Sequence, residues 1–199
     1  MSQRTLAIVI GLLALAACRG DEPRQGAASG ATPSVAAAPQ DTVFRGTTAP
    51  VHRARPNRPG VLPALLRAVQ TGPAPAPAPA PGYDRVVFEF ADDSVPGYHV
   101  EYVTGPVRRC GSGDPVAIAG AARLVVRFEP AQAHDERGNP TPAERDRALG
   151  LPGVKEMKLV CDFEGQVEWV LGVAGGARPY RVSELTAPAR LIVDLRHEQ

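Results

Sequence analysis

An antiparallel β-sandwich is the fold class that the second part of the chain, residues 83–199, predicts. Apolar residues recur there at every second position in runs of about five to eight residues, as in half-buried strands. Gly, Pro or Asp bounds each run. No convincing helical segment of about ten or more residues separates the runs, which argues against parallel β–α–β units. We therefore expect two packed antiparallel sheets with about eight to nine short strands.

Five runs show the alternation most clearly and predict the main strands. Their apolar positions are, in chain order, Val86, Phe88 and Phe90; Tyr98, Val100 and Tyr102; Leu124, Val126 and Phe128; Val167, Trp169 and Leu171; and Leu191, Val193 and Leu195. Shorter strands are predicted at 106–109, 115–119, 154–162 and 180–185. Residues 130–152 are mostly polar, and we expect a long crossover there with one helical turn at 143–149.

The first eighteen residues predict export and lipidation. Arg4 precedes an apolar run, 6–15, whose length as a helix would be only about 15 Å, half of the hydrocarbon thickness of a bilayer. This pattern is typical of a secretory signal peptide, here residues 1–17. The sequence LAAC at 15–18 resembles a bacterial lipobox, which implies cleavage before Cys18 and a lipid on its thiol. The alternative is a soluble secreted protein with an incidental cysteine.

Residues 18–82 predict a disordered linker that follows the lipidated Cys18. The segment is rich in Ala, Pro, Gly and Arg and has few larger apolar residues, so burial would not offset the entropy lost on ordering. Residues 73–81 alternate Pro and Ala, which predicts a polyproline II spacer of roughly 28 Å. Residues 61–69 have the spacing of a short amphipathic helix, either transient or docked on the domain or the membrane. A basic cluster, Arg53, Arg55 and Arg58, is either solvated or in contact with anionic lipid or acidic wall polymers.

Charge divides the chain at the same place. The formal net charge is +1, but residues 1–82 hold eight Arg and three acidic residues, a balance of +5. Residues 83–199 hold the other 14 basic and 18 acidic residues, a balance of −4. Such asymmetry indicates a basic tail and an acidic domain. A near-neutral total argues against a nucleic-acid partner, whose binding site would be strongly basic.

Six short motifs carry a resemblance to a known family. In chain order they are RVVFEF (85–90), GYHVEY (97–102), GP (105–106), AHDERG (133–138), LVCDFEG (159–165) and ARLIVD (189–194). Together they resemble the AMIN-like domain of bacterial envelope lipoproteins. The first and last also resemble the AMIN domain of peptidoglycan amidases and type IV pilus secretins, a β-sandwich that targets proteins to the cell wall.

The resemblance and the anchor together imply a function. We expect a non-catalytic binding module, held to a membrane by lipid on Cys18, that contacts peptidoglycan or an envelope protein and needs no cofactor. The residue after Cys18 is Arg19. An Asp at that position would favour retention in the inner membrane, so its absence favours the outer membrane or the periplasmic face.

The remaining cysteines agree with export. If Cys18 carries lipid, Cys110 and Cys161 are left as a pair, and in an oxidising envelope they can form a disulfide. Closing a loop of that length would stabilise the fold by roughly 4 kcal/mol in the chain-entropy model. The alternative is two separate thiols. Neither cysteine has a histidine at ligand spacing, so no metal site is expected.

Candidate ligand-binding residues are few: His134, Asp135, Trp169, Arg108 and Arg109. His134 and Asp135, with Glu136, are the local cluster with catalytic residue types, and they give the alternative function of a small envelope hydrolase or metal-dependent enzyme. Neighbours in an extended loop point in different directions, so we expect His134 and Asp135 to cap the loop and assign no catalytic residue.

The other candidates have a structural and a functional interpretation each. Alternation places Trp169 on the core-facing side of its strand, with a platform for glycan stacking as the alternative. Arg108 and Arg109 are either solvated or available to wall carboxylates.

Overall fold

The protein was analysed as a computed structural model, which describes residues 44–56, 60, 62–74 and 82–198. These residues contain eleven strands in two sheets and no helix, so the predicted all-β sandwich is confirmed. None of the described residues forms an apolar helix long enough to cross a membrane. Cys18, the predicted signal peptide and residues 75–81 of the predicted spacer at 73–81 lie outside the described residues, whereas Pro73 and Ala74 belong to a β-strand.

The strands are numbered along the chain. They are β1 (Val51–Arg53), β2 (Ala64–Ala74), β3 (Tyr83–Phe90), β4 (Gly97–Val103), β5 (Ala122–Glu129), β6 (Ala131–Gln132), β7 (Asp146–Ala148), β8 (Val154–Phe163), β9 (Gln166–Val173), β10 (Tyr180–Leu185) and β11 (Arg190–Arg196). One sheet has six strands in the order β1-β4-β5-β9-β8-β7, and the other has five in the order β10-β11-β3-β2-β6. All pairs are antiparallel except β2 with the two-residue β6.

Aromatic side chains from both sheets meet in the core. The ring of Phe128 on β5 lies 5.1 Å from that of Phe88 and 5.0 Å from that of Phe90, both on β3. Trp169 on β9 is fully buried and packs 6.3 Å from Phe88. The period-two pattern that predicted these strands therefore reports their inward faces correctly.

The predicted linker supplies two strands, and its disorder is wrong for residues 44–56 and 62–74. Strand β2 pairs with β3 from Leu66 to Ala74, and its Leu66 is fully buried. The helical spacing at 61–69 has a physical cause, because a bulge between Leu66 and Ala68 inserts one extra residue into the strand. The bulge shifts the apolar positions from a period of two to a spacing that resembles a helix.

Residues 44–56, here called the strap, join the edges of the two sheets. Thr47 exchanges backbone hydrogen bonds of 2.9 and 2.8 Å with Tyr180 on β10. A few residues later β1 pairs with β4, at the edge of the other sheet. The Tyr180 hydroxyl lies 2.7 Å from the carbonyl oxygens of Ala49 and Val100, between the strap and β4. The strap therefore closes one side of the sandwich.

Three local predictions differ from the structure. Segments 106–109 and 115–119 are not strands but arms of one loop, joined by a single bridge between Arg108 and Pro115. The helical turn predicted at 143–149 is replaced by β7, which pairs with β8. Arg147 on β7 donates to the carbonyl oxygen of Val69 and the hydroxyl of Thr71, both at 3.0 Å, and these contacts to β2 favour the extended backbone.

Candidate functional site

A cleft with two lobes lies between the strap and the end of the sheet beneath it, and we call it the strap cleft. One lobe, of about 500 Å³, has a floor made by β4 and β5 and is bordered by His52 and Arg127. The other, of about 660 Å³, is bordered by Leu62 and Asp92. Residues 53–55 and Pro130 line both lobes and so form the wall between them.

Gly97 allows the strap to pass close to the sheet. A β-carbon at this position would lie 2.5 Å from the carbonyl oxygen of Glu129 and 3.0 Å from the backbone nitrogen of Arg55. Both contacts involve backbone atoms that cannot move aside cheaply. Gly97, the first residue of the GYHVEY motif, therefore positions the cleft wall.

A row of polar side chains crosses the floor of the first lobe. His52, His99, Arg127 and Glu168 face one another in register on four adjacent strands. The imidazole rings lie 6.0 Å apart, and Arg127 Nε donates to Glu168 Oε2 at 2.7 Å. His99 Nε2 is buried, has no hydrogen bond within the described residues, and lies 3.6 Å from Glu101 Oε2.

Arg53 on the strap is neutralised by the opposite sheet. Its guanidinium forms an ion pair with Glu184 on β10. Tyr98 lies opposite Arg53 on β4, and burial together with a hydrogen bond to Glu184 raises the pKa of its hydroxyl. This cluster connects β1, β4 and β10. A ligand at Arg53 would have to compete with Glu184 for the guanidinium.

Arg55 differs from Arg53 because it forms no ion pair within the part of the chain that the structure describes. No carboxylate pairs with it among the described residues, and its Nε, although buried, has no hydrogen-bond partner. A guanidinium carries five N–H donors in a planar fork that matches a carboxylate or a phosphate. The strap cleft can therefore bind an anion at Arg55 without first breaking an ion pair of the fold.

The catalytic alternative at 134–136 does not assemble. His134 Nδ1 lies 2.9 Å from Asp162 Oδ1, and the other oxygen of Asp162 accepts a hydrogen bond from Arg145 at 2.9 Å. Asp135 turns away and accepts hydrogen bonds of 2.9 and 2.8 Å from the backbone N–H groups of Arg137 and Asn139. These bonds, with the Asn139 side-chain amide, hold the pKa of the Asp135 carboxyl below its ordinary value. Asp135 thus caps its loop as predicted, whereas the His134 side chain bonds to a carboxylate on β8 instead of the loop backbone.

The other predicted ligand residues each have their own surroundings. Trp169 is fully buried, as its predicted core-facing position requires, and the alternative of a surface for glycan stacking is wrong. Arg108 donates to the carbonyl oxygen of Gly113 at 2.8 Å, within its own turn. Arg109 is half-exposed and lies 3.9 Å from Asp146. Within the described ranges no cluster of three or more His, Cys, Asp or Glu could hold a metal ion.

Cys110 and Cys161 form a disulfide with Cα atoms 5.2 Å apart. Cys110 also donates its backbone N–H to the carbonyl oxygen of Val160, so the loop at 104–121 is fixed to β8. The loop covers a second apolar cluster, in which Val107 packs with Val125 and Val170 on the outward face of the six-stranded sheet. The disulfide therefore stabilises a loop over the sheet.

The motifs at 85–90 and 189–194 meet in a buried ion pair. Arg85 on β3 donates to both oxygens of Asp194 on β11, at 2.7 and 3.0 Å. Arg181 on β10 donates to the same carboxylate at 2.7 Å. Ion pairs to Asp194, in a motif that resembles the AMIN domain, thus link the three neighbouring strands β3, β11 and β10.

Sequence reasoning missed the strap cleft. The basic cluster at 53–58 was the available signal, but it lay in a segment interpreted as a linker. Nothing in the sequence places His52 beside His99 until β1 is known to pair with β4.

Comparison with known proteins gives one family. No curated protein and no solved structure matches the chain significantly. The model of the AMIN-like domain matches residues 77–197, which is more than half of the chain. Domains of this kind are generally non-catalytic binding modules and occur in envelope proteins. The resemblance found in the motifs is thereby confirmed, and the chain belongs to the AMIN-like domain family.

Proposed function

We propose that this chain is a lipid-anchored binding module of the cell envelope that holds peptidoglycan and does not modify it. The observation that carries the proposal is membership of the AMIN-like family over residues 77–197. The signal peptide and the lipobox at 15–18 support export and an anchor at Cys18 on the periplasmic side of a membrane, with the outer membrane favoured.

The geometry supports binding more than catalysis. The side chains of His134 and Asp135 are held by Asp162 and by their own loop. The strap cleft, in contrast, is open and contains a cation with no ion-pair partner among the described residues. Peptidoglycan offers carboxylates on its peptide stems, and arginine binds carboxylates through paired, charge-assisted hydrogen bonds.

Sedimentation tests the proposal. The full chain, purified in a mild detergent, is mixed with insoluble peptidoglycan and, in parallel, with chitin, which has a related glycan backbone but no peptide stems. We expect the protein to sediment with peptidoglycan and to remain in solution with chitin.

Sedimentation with neither polymer contradicts wall binding. In that case crosslinking of the protein in cells, followed by mass spectrometry of what it holds, tests the second partner class, an envelope protein. Equal sedimentation with both polymers contradicts recognition of the stems and indicates binding to the glycan.

A further inference from the structure

We propose that the strap cleft binds a free carboxylate of a short peptide through Arg55. The inference rests on the proposed function in one respect, because it identifies the peptide as a stem of peptidoglycan. It deepens that function by naming the residues that make contact and the group that they recognise.

Among the described arginines that line the cleft, Arg55 is available to a ligand because the other two are in ion pairs. Arg53 is paired with Glu184, and Arg127 with Glu168. No described carboxylate forms an ion pair with Arg55, and its buried Nε has no hydrogen-bond acceptor among the described residues. A buried polar group without a partner is unfavourable, and a bound carboxylate would remove part of that cost.

The second lobe adds apolar surface beside that charge. Leu62 is 81% exposed at its border, which is unusual for a leucine among the described residues. Pro56, Pro96 and Pro130 line the same lobe. Small apolar side chains of a peptide, such as the methyl group of alanine, would lose water on contact with this surface.

Acidic residues in the cleft argue for a peptide rather than a phosphate polymer. Glu129 lines the first lobe and Asp92 the second, and both are exposed. They would repel a polyanion along its length, since like charges in contact are disfavoured. A peptide with both carboxylates and an amine can place its carboxylate at Arg55 and its amine toward Glu129 or Asp92.

Part of the cleft lies outside the region that the family model matches. Arg55, Pro56 and Leu62 precede residue 77, where the match begins. The inference therefore concerns a surface that the strap adds to the AMIN-like domain.

The test is calorimetric titration of the full chain in detergent. The probes are a synthetic stem tetrapeptide with free carboxylates, the same peptide with its carboxylates amidated, and a poly(glycerol phosphate). We expect binding of the free peptide and a loss of about tenfold or more on amidation. Binding of the phosphate polymer in preference to the peptide would overturn the proposal.

Variants assign the effect to the cleft. Arg55→Ala should weaken peptide binding about tenfold or more, and Arg55→Lys should recover part of it because the charge remains. Arg137→Ala, at an exposed arginine in the loop after β6, is the matched control and should bind as the wild type does. Because Arg55 makes no ion pair within the described part of the fold, the unfolding midpoint of Arg55→Ala should be unchanged.

The two proposals fail in different ways. If Arg55→Ala binds the peptide as tightly as the wild type, the inference is wrong even where peptidoglycan sediments the protein. If the wild type binds the peptide and does not sediment with peptidoglycan, the carboxylate site stands and the proposed function is wrong. Absence of peptide binding overturns the inference outright.

Discussion

At the scale of single residues, a buried carboxylate links the two sheets at the end of the sandwich. Asp84 on β3 is fully buried, and its Oδ2 accepts hydrogen bonds from the backbone N–H groups of Gly153 and Val154 at 2.6 and 2.8 Å. Its other oxygen lies 2.6 Å from His197 Nε2. One carboxylate therefore satisfies three groups from the entry to β8 and the end of β11.

Replacement of Asp84 should be strongly destabilising. Asp84→Ala leaves two backbone N–H groups without an acceptor, and we expect a loss of about 3 kcal/mol in the free energy of unfolding. Asp84→Asn keeps one carbonyl acceptor and should lose less. Urea denaturation measures both, with Asp93→Ala, at an exposed carboxylate, as a control expected within about 0.5 kcal/mol of the wild type. An Asp84→Ala variant as stable as that control would show that the network is dispensable.

Tyr180 should make the fold sensitive to alkaline pH. Burial raises the pKa of its hydroxyl to about 12, above the value of about 10 expected in the unfolded chain. The protonated form is thus favoured by folding, so its contribution is complete below about pH 10 and is lost as the pH rises toward 12. Urea denaturation between pH 8 and pH 11.5 should show the advantage of the wild type over Tyr180→Phe falling by about 2 kcal/mol. A constant difference would contradict the assignment to Tyr180.

At the scale of elements, the domain depends on segments that precede the family match. Strand β2 covers the edge of β3, and the strap covers the edges of β4 and β10. An uncovered edge exposes a row of unpaired backbone groups and invites association with other chains. The AMIN-like core therefore needs residues 44–56 and 62–74 to be complete.

Truncation and a core substitution test this dependence. A chain that begins at residue 77 should be unfolded or aggregated by circular dichroism and gel filtration, whereas one that begins at residue 44 should keep its β structure. Leu66→Ala in the full chain should cost about 3 kcal/mol in unfolding free energy. Arg67→Ala, at the exposed neighbour, should cost less than about 0.5 kcal/mol. A stable fold from residue 77 would show that β2 is an accessory strand.

The sequence predicts correctly those strands in which apolar and polar residues alternate. It predicts wrongly those segments in which a bulge or strand pairing decides the structure. The runs through Phe88, Phe128 and Trp169 follow the period of two because one face of each meets the core. In β2 a bulge breaks that period, and in β7 pairing with β8 overrides a helical composition. The strap cleft could not be predicted, because its residues come together only through long-range pairing of β1 with β4.

At the scale of the whole molecule, the structure shortens the linker that the sequence predicts. The linker predicted at 18–82 would span roughly 45 Å as a coil. Phe44 is already packed 5.7 Å from Tyr83, so the folded part begins no later than residue 44. The segment between Cys18 and the folded part is therefore at most 25 residues long, and it lies outside the described residues.

The anchor at Cys18 gives the last prediction. Detergent phase partitioning of cell extracts should place the wild type in the detergent phase, because acyl chains contribute about 0.8 kcal/mol for each buried methylene. Cys18→Ser cannot carry a thioether-linked lipid and should move to the aqueous phase, while Cys110→Ser with Cys161→Ser, which keeps Cys18, should stay with the detergent. Mass spectrometry of the mature amino terminus should find diacylglyceryl and acyl groups on the wild type only. A wild type whose mature amino terminus carries no acyl groups would contradict lipidation, whereas a Cys18→Ser protein that remains in the detergent phase would point to retention of the uncleaved apolar run at 6–15.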